Sequence, residues 1–443
     1  MRISIFGLGY VGCVTAACLA KEGHEVVGVD LNDDKIQMIN DGLSPVVEPG
    51  LVELMKEVRG RGRTGPGTLS ATSDATAAVH DSDASLICVG TPSNDNGSLN
   101  VQHVKVCANE IGTAIRDMDN YHVTVVRSTM TPGTVDQVVV PEIESASGKQ
   151  VGKDFGVAMN PEFLRESTSV EDFYAPPLTV IGQKDARSGD VVNEIYDFLT
   201  SPVIRTDIRS AEMLKYACNA FHALKVAFAN EVGAICKSLD IDSHVVMNIF
   251  CQDHKLNISP YYCKPGFAFG GSCLPKDLRA ITHKAKQLDI DVPVLNSILP
   301  SNRIHTERAI DSILRSGKRR IGILGLSFKS GTDDLRESPI VTVVEALIGK
   351  GLDIRIYDEN VLLARLTGAN KEYINKQIPH ISSLMLNSAS DVIDHGEIIV
   401  VCNRSPEFAK VIGSCDSDKL IFDLVRITED RESSHKGYQG ICW

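Results

Sequence analysis

Residues 2–12 read RISIFGLGYVG, and this stretch decides the fold. Arg2 to Phe6 form a short run with β-branched and aromatic side chains, the composition of a strand. Glycine then recurs at Gly7, Gly9 and Gly12, a G-x-G-x-x-G pattern. Such glycines permit a tight turn, close approach of backbone to a pyrophosphate, and close contact between helix and strand. The helix that follows offers unpaired N–H groups and a partial positive charge to an anion. The pattern alone is weak, since a glycine-rich turn without a ligand has the same letters. Its context is specific: a strand before it, a helix after it, and Asp30 ending the next apolar run, HEVVGV (24–29). Asp30 can bind both ribose hydroxyls of a dinucleotide. Asn32, Asp33 and Asp34 follow it, and the acids repel a 2′-phosphate, so NAD is expected rather than NADP.

Outward from this turn the same texture continues to about residue 205. Apolar runs ASLICVG (84–90), HVTVVRS (122–128), FGVAM (155–159), LTVIG (178–182) and PVIRT (202–206) alternate with helical patterns. Near-continuous apolar strands separated by helices imply a parallel sheet covered on both faces. RGRGRTGPGT (59–68) reads as a surface loop. From Ser210, a plausible N-cap, about 30 residues without proline read as one helix of about 45 Å. A helix that long is expected to pack against something, such as a second subunit. From Lys318 the α/β texture returns, with RIGILGLSF (320–328), LDIRIYDEN (352–360), EIIVVC (397–402) and KLIFDL (419–424). The expected architecture is α/β: two doubly wound Rossmann-like domains, 1–208 and 317–443, joined by a central helical domain, 209–316.

Composition excludes some classes. The chain has 443 residues, too many for one core. Its net charge of −12 argues against a nucleic-acid binder. No apolar window approaches a membrane span, and the N-terminus does not read as a targeting signal. The 12 cysteines are scattered with no C-x-x-C pair, so reduced thiols in the cytoplasm are expected, and no metal site.

The sharpest chemical signal is Gly270-Gly271-Ser272-Cys273-Leu274-Pro275-Lys276-Asp277. Two glycines let a substrate approach the backbone. Pro275 suits the first turn of a helix. Cys273 then stands at a helix N-terminus, which favours thiolate, with Lys276 nearby and Asp277 one turn on. Such a cysteine reads as a covalent catalyst. In the long helix, Lys215, Asn219, His222 and Asn230 fall on one stripe. The stripe is either the helix's wet side or a site in which Lys215 and Asn219 hold a nascent alkoxide. Asn160-Pro161-Glu162-Phe163-Leu164-Arg165-Glu166 follows a strand. Its two carboxylates suit general-base work, and a dipole-stabilised helix start is the alternative. Thr91 and Thr129 follow strands at the ends where ligands bind in such sheets.

With FGLGYVG, VGTP, STMTPGT, NPEFLRES, EMLKYACNAFHA, FGGSCLPKD and LGLSFKSGTDDLRESP, the chain resembles the UDP-glucose/GDP-mannose dehydrogenase family over essentially its full length. CQDHKLN (251–257), YYCKPGFAFGGSCLPKD (261–277), GANKEYI (368–374) and GICW (440–443) resemble the branch that acts on GDP-mannose, with UDP-glucose and UDP-N-acetylhexosamine as alternatives. The resemblance implies a homodimer built on the central helix. It implies a four-electron oxidation at C6 with two NAD per sugar, giving a precursor of alginate-type polysaccharide. It implies that Cys273 is the nucleophile, that Lys215 and Asn219 hold the oxyanion and water, with Asp277 as their partner, and that Thr129 and Glu162 handle the catalytic water. Tyr10, Val11, Asp30, Lys35, Thr91, Thr129 and Arg336 would line the NAD site. Glu166, Lys215, Asn219, His222, Asn230, Tyr261, Tyr262, Lys264, Phe267 and Lys329 would line the sugar-nucleotide site. Lys264 stands where the family pattern leads one to expect Arg, and lysine lacks the bidentate fork.

Overall fold

A computed structural model describes the chain except residues 61–66, 97, 166, 261, 263, 264, 272, 328–334, 336, 360, 362–378, 380, 429–435 and 443. Glu166, Tyr261, Lys264, Lys329 and Arg336 therefore lie outside the described residues, as do most of the 59–68 loop and the 368–374 stretch. The chain divides into two compact units, Met1–His222 and Ala223–Trp443.

The first unit is built on an eight-stranded sheet. Its strands are β1 (Arg2–Phe6), β2 (Glu25–Val29), β3 (Thr68–Thr72), β4 (Ala84–Ile87), β5 (His122–Val126), β6 (Phe155–Met159), β7 (Thr179–Gln183) and β8 (Val203–Thr206). Their order is β3-β2-β1-β4-β5-β6-β7-β8, so the first six follow the doubly wound dinucleotide-binding order. β1, β4, β5, β6 and β7 are buried on both faces, as the near-continuous apolar runs require, while β8 at the edge is largely exposed. β3, TLSAT, carries too little apolar character to stand out in the sequence.

One pairing departs from the expected parallel sheet: β7 runs antiparallel to β6, with Ala158 opposite Gln183. The only helix between them among the described residues, Ser169–Tyr174, has six residues and spans about 9 Å. That is too short to carry the chain back to the start of β6, so β7 sets out from the end where β6 finished. The long helix spans Ile208–Ser238, 31 residues. Ser210 is not its cap. Asp207 accepts the Ser210 N–H at 3.0 Å and the Ser210 hydroxyl at 2.6 Å, a stronger acceptor placed one step before the first helical residue.

The second unit holds a five-stranded parallel sheet, ordered β10-β9-β11-β12-β13, from β9 (Arg320–Leu324), β10 (Asp353–Tyr357), β11 (Ile398–Val401), β12 (Leu420–Asp423) and β13 (Tyr438–Gly440). Its first turn repeats that of the first unit. Gly7 has φ 94°, its N–H donates to Val29 O at 2.8 Å, and Leu8 N–H donates to Asp30 at 2.8 Å. Gly325 has φ 92°, its N–H donates to Tyr357 O at 2.8 Å, and Leu326 N–H donates to Asp358 at 2.7 Å. In the second copy the acid is buried and also accepts the Ser327 N–H and hydroxyl, while Asn403 crowds the position a Cβ on Gly325 would take. The architecture is thus that expected, two doubly wound sheets with helices between them in sequence. No helix of the described residues is long and apolar enough to cross a membrane.

Candidate active site

The dinucleotide turn fits its ligand on geometric grounds. A Cβ on Gly12 would come within 1.8 Å of Gly7 O, so the helix can start this close to the strand only with glycine. At Gly9 a Cβ would meet nothing within 4 Å, leaving the space over the turn open. Gly9 is the N-cap of the helix Tyr10–Lys21 and offers no side-chain acceptor, so the first N–H groups face that space. Asp30 ends β2. Besides Leu8 N–H it accepts Asn32 N–H at 2.9 Å and lies 3.5 Å from the Lys35 ammonium. Lys35 thus stands beside the acid that would hold the ribose. Val11 packs against the core beneath the turn. Thr91 and Thr129, at the carboxyl ends of β4 and β5, are brought together: the Thr91 hydroxyl donates to Thr129 O at 3.1 Å.

At the carboxyl end of β6, the described residues from Asn160 to Thr168 are irregular, not the helix start that the Pro-Glu invited. Lys215 reaches it from the long helix. Its ammonium lies 2.9 Å from a Glu162 carboxylate oxygen and donates to Glu162 O at 2.7 Å, and both side chains are about nine-tenths buried, at 9% and 11% exposure. An ammonium has three donors, so one remains for a substrate oxygen. Asn219 and His222 lie further along the same helix and are exposed, as is Asn230 in the helix's second-unit portion.

Arg127 and Tyr196, beneath this segment, escaped the sequence reading. Arg127 is buried, donates to the Tyr196 hydroxyl at 2.6 Å and also to Asn160 Oδ1, while Asn160 Nδ2 donates to Val180 O at 2.8 Å. The pair fixes the turn into Glu162. A cavity of about 40 Å³ lined by Arg127, Asn160, Glu162 and Tyr196 adjoins them, and the Arg127 Nε–H has no protein partner. That volume admits a single water. Arg127 hides in the sequence as the polar end of an apolar strand run. A third missed residue is Glu48, buried and bonded to the Tyr10 hydroxyl.

In the second unit, Cys273 is the N-cap of the helix Leu274–Gln287 and is exposed. Asp277 N–H donates to Cys273 O at 2.9 Å, the first bond of that helix. The Asp277 carboxylate pairs with Lys276 at 2.8 Å, on the surface, and that hydrogen bond raises the Lys276 ammonium above its ordinary value. The preceding glycines also have structural reasons of their own. A Cβ on Gly270 would come within 2.3 Å of Glu337 O, and Gly271 has φ 86°. Gly270 thus permits close internal packing and Gly271 a left-handed turn. Arg279 in the same helix donates to Glu337 at 3.0 Å, tying the Cys273 helix to the segment before Pro339. Phe267 packs against the core of the second sheet and the His305 ring, and Tyr262 is exposed with φ 62°.

Burial separates the cysteines by reactivity. Desolvation pushes the thiols of Cys13, Cys18, Cys88 and Cys107 up to about 12, so they stay protonated and inert. Cys273 combines exposure with a helix N-terminus. Among the described residues no group of three or more His, Cys, Asp or Glu could hold a metal ion.

A doubly wound sheet, a dinucleotide turn closed by an acid, and a cysteine at a helix start define a nicotinamide-dependent oxidoreductase. Comparison with known proteins narrows this. Residues 1–200 match the NAD binding domain of the UDP-glucose/GDP-mannose dehydrogenase family, residues 209–304 its central domain, and residues 322–430 its UDP binding domain. The chain belongs to that family. It is 52% identical over the full length of both chains to GDP-mannose 6-dehydrogenase of Pseudomonas aeruginosa, and 49% identical, again at full length, to that of Azotobacter vinelandii. Against UDP-glucose 6-dehydrogenase of Haloferax volcanii identity is 36% over 98% of each chain. The crystal structure of a ternary complex of the Pseudomonas aeruginosa GDP-mannose dehydrogenase matches with a TM-score of 0.95 over 100% of both chains at 52% identity. A UDP-glucose dehydrogenase from Pyrobaculum islandicum matches at 0.55 with 32% identity, covering 100% of this chain and 97% of that one.

Proposed function

We propose that this chain oxidises C6 of GDP-mannose to a carboxylate, using NAD twice per sugar, through a covalent bond to Cys273. The observation that carries the substrate is the contrast in identity: 52% and 49% to two GDP-mannose enzymes at full length, 36% to a UDP-glucose enzyme. The turn at Gly7–Gly12 and the exposed Cys273 support the reaction type.

Bound NAD supplies a hydride acceptor in each of two rounds. The chain's own groups manage protons, charge and the carbon. The remaining Lys215 N–H and the Asn219 amide hold the C6 oxygen as it loses its proton. The Cys273 sulfur bonds the aldehyde carbon, giving a thiohemiacetal that keeps the intermediate attached. Loss of the second hydride from that tetrahedral carbon leaves a thioester. Water positioned by Thr129 and activated by Glu162 or Asp277 breaks the C–S bond and releases the carboxylate and the thiol. Four electrons leave the sugar, which only a primary alcohol can yield at one carbon.

Tyr10, Val11, Asp30, Lys35, Thr91, Thr129 and Arg336 are assigned to the NAD site. Glu166, His222, Asn230, Tyr261, Tyr262, Lys264, Phe267 and Lys329 are assigned, with Lys215 and Asn219, to the sugar nucleotide. The division at 1–208, 209–316 and 317–443 follows from the same reading. So do a cytoplasmic location and a homodimer packed along the long helix, whose Met213 and Leu224 side chains are exposed on one face. In Cys273→Ser, carboxylate formation from GDP-mannose should vanish while NAD still binds. Unimpaired turnover of that variant would end the proposal.

A further inference from the structure

Tyr10 is the first residue of the helix after the glycine turn. Its hydroxyl leaves the turn, donates to the Glu48 carboxylate, and lies 3.2 Å from Arg165 O. Glu48 is 5% exposed and stands between the helices Asp33–Asn40 and Leu51–Gly60. Its two oxygens also accept the N–H groups of Ser167 at 2.9 Å and Ser169 at 2.8 Å. Burial alone would raise this carboxyl. The hydrogen bonds from Tyr10, Ser169 and Ser167 outweigh it and hold Glu48 below its ordinary value, while burial and then Glu48 push the Tyr10 phenol up to about 12. Donor and acceptor therefore keep a charge-assisted bond throughout the working pH range.

The segment that Glu48 grips is the one that starts at Glu162. Its described residues as far as Thr168 have no regular structure, so point anchors set their placement. Arg165 and Thr168 are tied to Asp172, within the same local unit. Lys215 holds its start at Glu162, and Glu48 and Tyr10 hold it at Arg165 and Ser167. Ser167 has φ 73°, a left-handed conformation that a serine holds only when its surroundings impose it, and its N–H is one that Glu48 accepts.

We infer that Tyr10 and Glu48 are positioning residues that couple occupancy of the dinucleotide turn to the placement of Glu162, Arg165 and Ser167, so that the cofactor and the sugar nucleotide bind with mutual cooperativity. The inference rests on the proposed function above. An anion seated on the turn acts on the backbone of the residue whose side chain carries the bond to Glu48. A buried carboxylate has no water to turn to, so a shift of the tyrosine is passed to Ser167 and Ser169 rather than absorbed. Coupling of this kind is reciprocal: NADH must tighten the sugar nucleotide by the factor with which the sugar nucleotide tightens NADH.

The test is a pair of titrations on the full-length protein, NADH with and without saturating GDP-mannose, and the reverse. The unmodified protein should show a coupling of about five- to a hundredfold. Tyr10→Phe removes one hydroxyl and is the conservative variant. Glu48→Gln removes the charge. In both, coupling should fall to near one, and the double variant should lose no more than either alone, with folding checked by thermal melting. Glu48 acting only as a structural tie would lower the melting temperature and leave the coupling factor intact. Wild-type coupling in folded Tyr10→Phe overturns the inference, as does the absence of coupling in the unmodified protein. Failure of the unmodified protein to bind NADH or GDP-mannose at all overturns the proposed function and this inference with it.

Discussion

Lys215 gives two of its three N–H donors to Glu162, and the pair is nearly buried. Removing one partner of a buried pair leaves the other charged in a place where water cannot compensate. Lys215→Met is therefore expected to lose about 3–5 kcal/mol of stability. It should also lower kcat by about a hundredfold or more, through loss of the donor to the C6 oxygen. Urea unfolding and steady-state rates measure the two effects, and an unchanged kcat would remove Lys215 from the chemistry. Asp30 accepts bonds from Leu8, Asn32 and Lys35 and is the acid placed for a ribose diol. Asp30→Asn keeps an acceptor for Leu8 but gives up the charge. It should raise KM for NAD about tenfold, the loss of one good hydrogen bond to a charged group, and narrow the preference over NADP. Unaltered cofactor kinetics would place the ribose elsewhere.

At the scale of elements, a polar thread crosses the middle of the first sheet. Ser4 in β1 meets Ser85 in β4 at 2.7 Å, Ser85 meets His122 Nε2 in β5 at 2.8 Å, and His122 Nδ1 lies 3.2 Å from Ser82 O. Burial lowers His122 from 6.5 to about 4, so the folded sheet holds a neutral imidazole. The native state then binds fewer protons than the unfolded chain between those values. The stabilisation is complete above pH 6.5 and is lost as pH falls towards 4, about 3 kcal/mol in all. His24, also lowered by burial, titrates in the same direction, so the contribution is isolated by comparison with His122→Asn. The gap between the two proteins' unfolding free energies should shrink from pH 7.5 to pH 5. A gap independent of pH would contradict the buried neutral histidine.

Elements also show what the sequence could and could not reveal. The strand–turn–helix at 2–21, the acid at Asp30, the long helix and the helix start at Cys273 are local patterns, and local patterns survive in one dimension. Glu48 is different. Its partners lie 38, 119 and 121 residues away, and VVEPG has no periodicity to mark it. Arg127 and Asn160 are polar ends of apolar runs, indistinguishable in the sequence from strand termini until the sheet brings them together. The reversed β7 depends on the length of one short helix, a feature that the apolar pattern of LTVIG does not encode.

For the whole molecule, the long helix carries Met213 and Leu224, which fall on one face, with 53% and 49% of their surfaces exposed. Apolar side chains repeated along one helix are the mark of a face that another chain covers. Sedimentation is expected to give a species of twice 48.1 kDa. Leu224→Glu should shift it towards the single chain, and a 48.1 kDa species at micromolar concentration would refute the dimer. The step that most distinguishes this enzyme is the second oxidation of the same sugar carbon. It is tested by incubating limiting GDP-mannose with excess NAD and counting NADH formed per sugar consumed, with UDP-glucose in parallel. Two NADH per GDP-mannose and none from UDP-glucose is the predicted result. One NADH per sugar would contradict the thioester step, and with it the role given to Cys273.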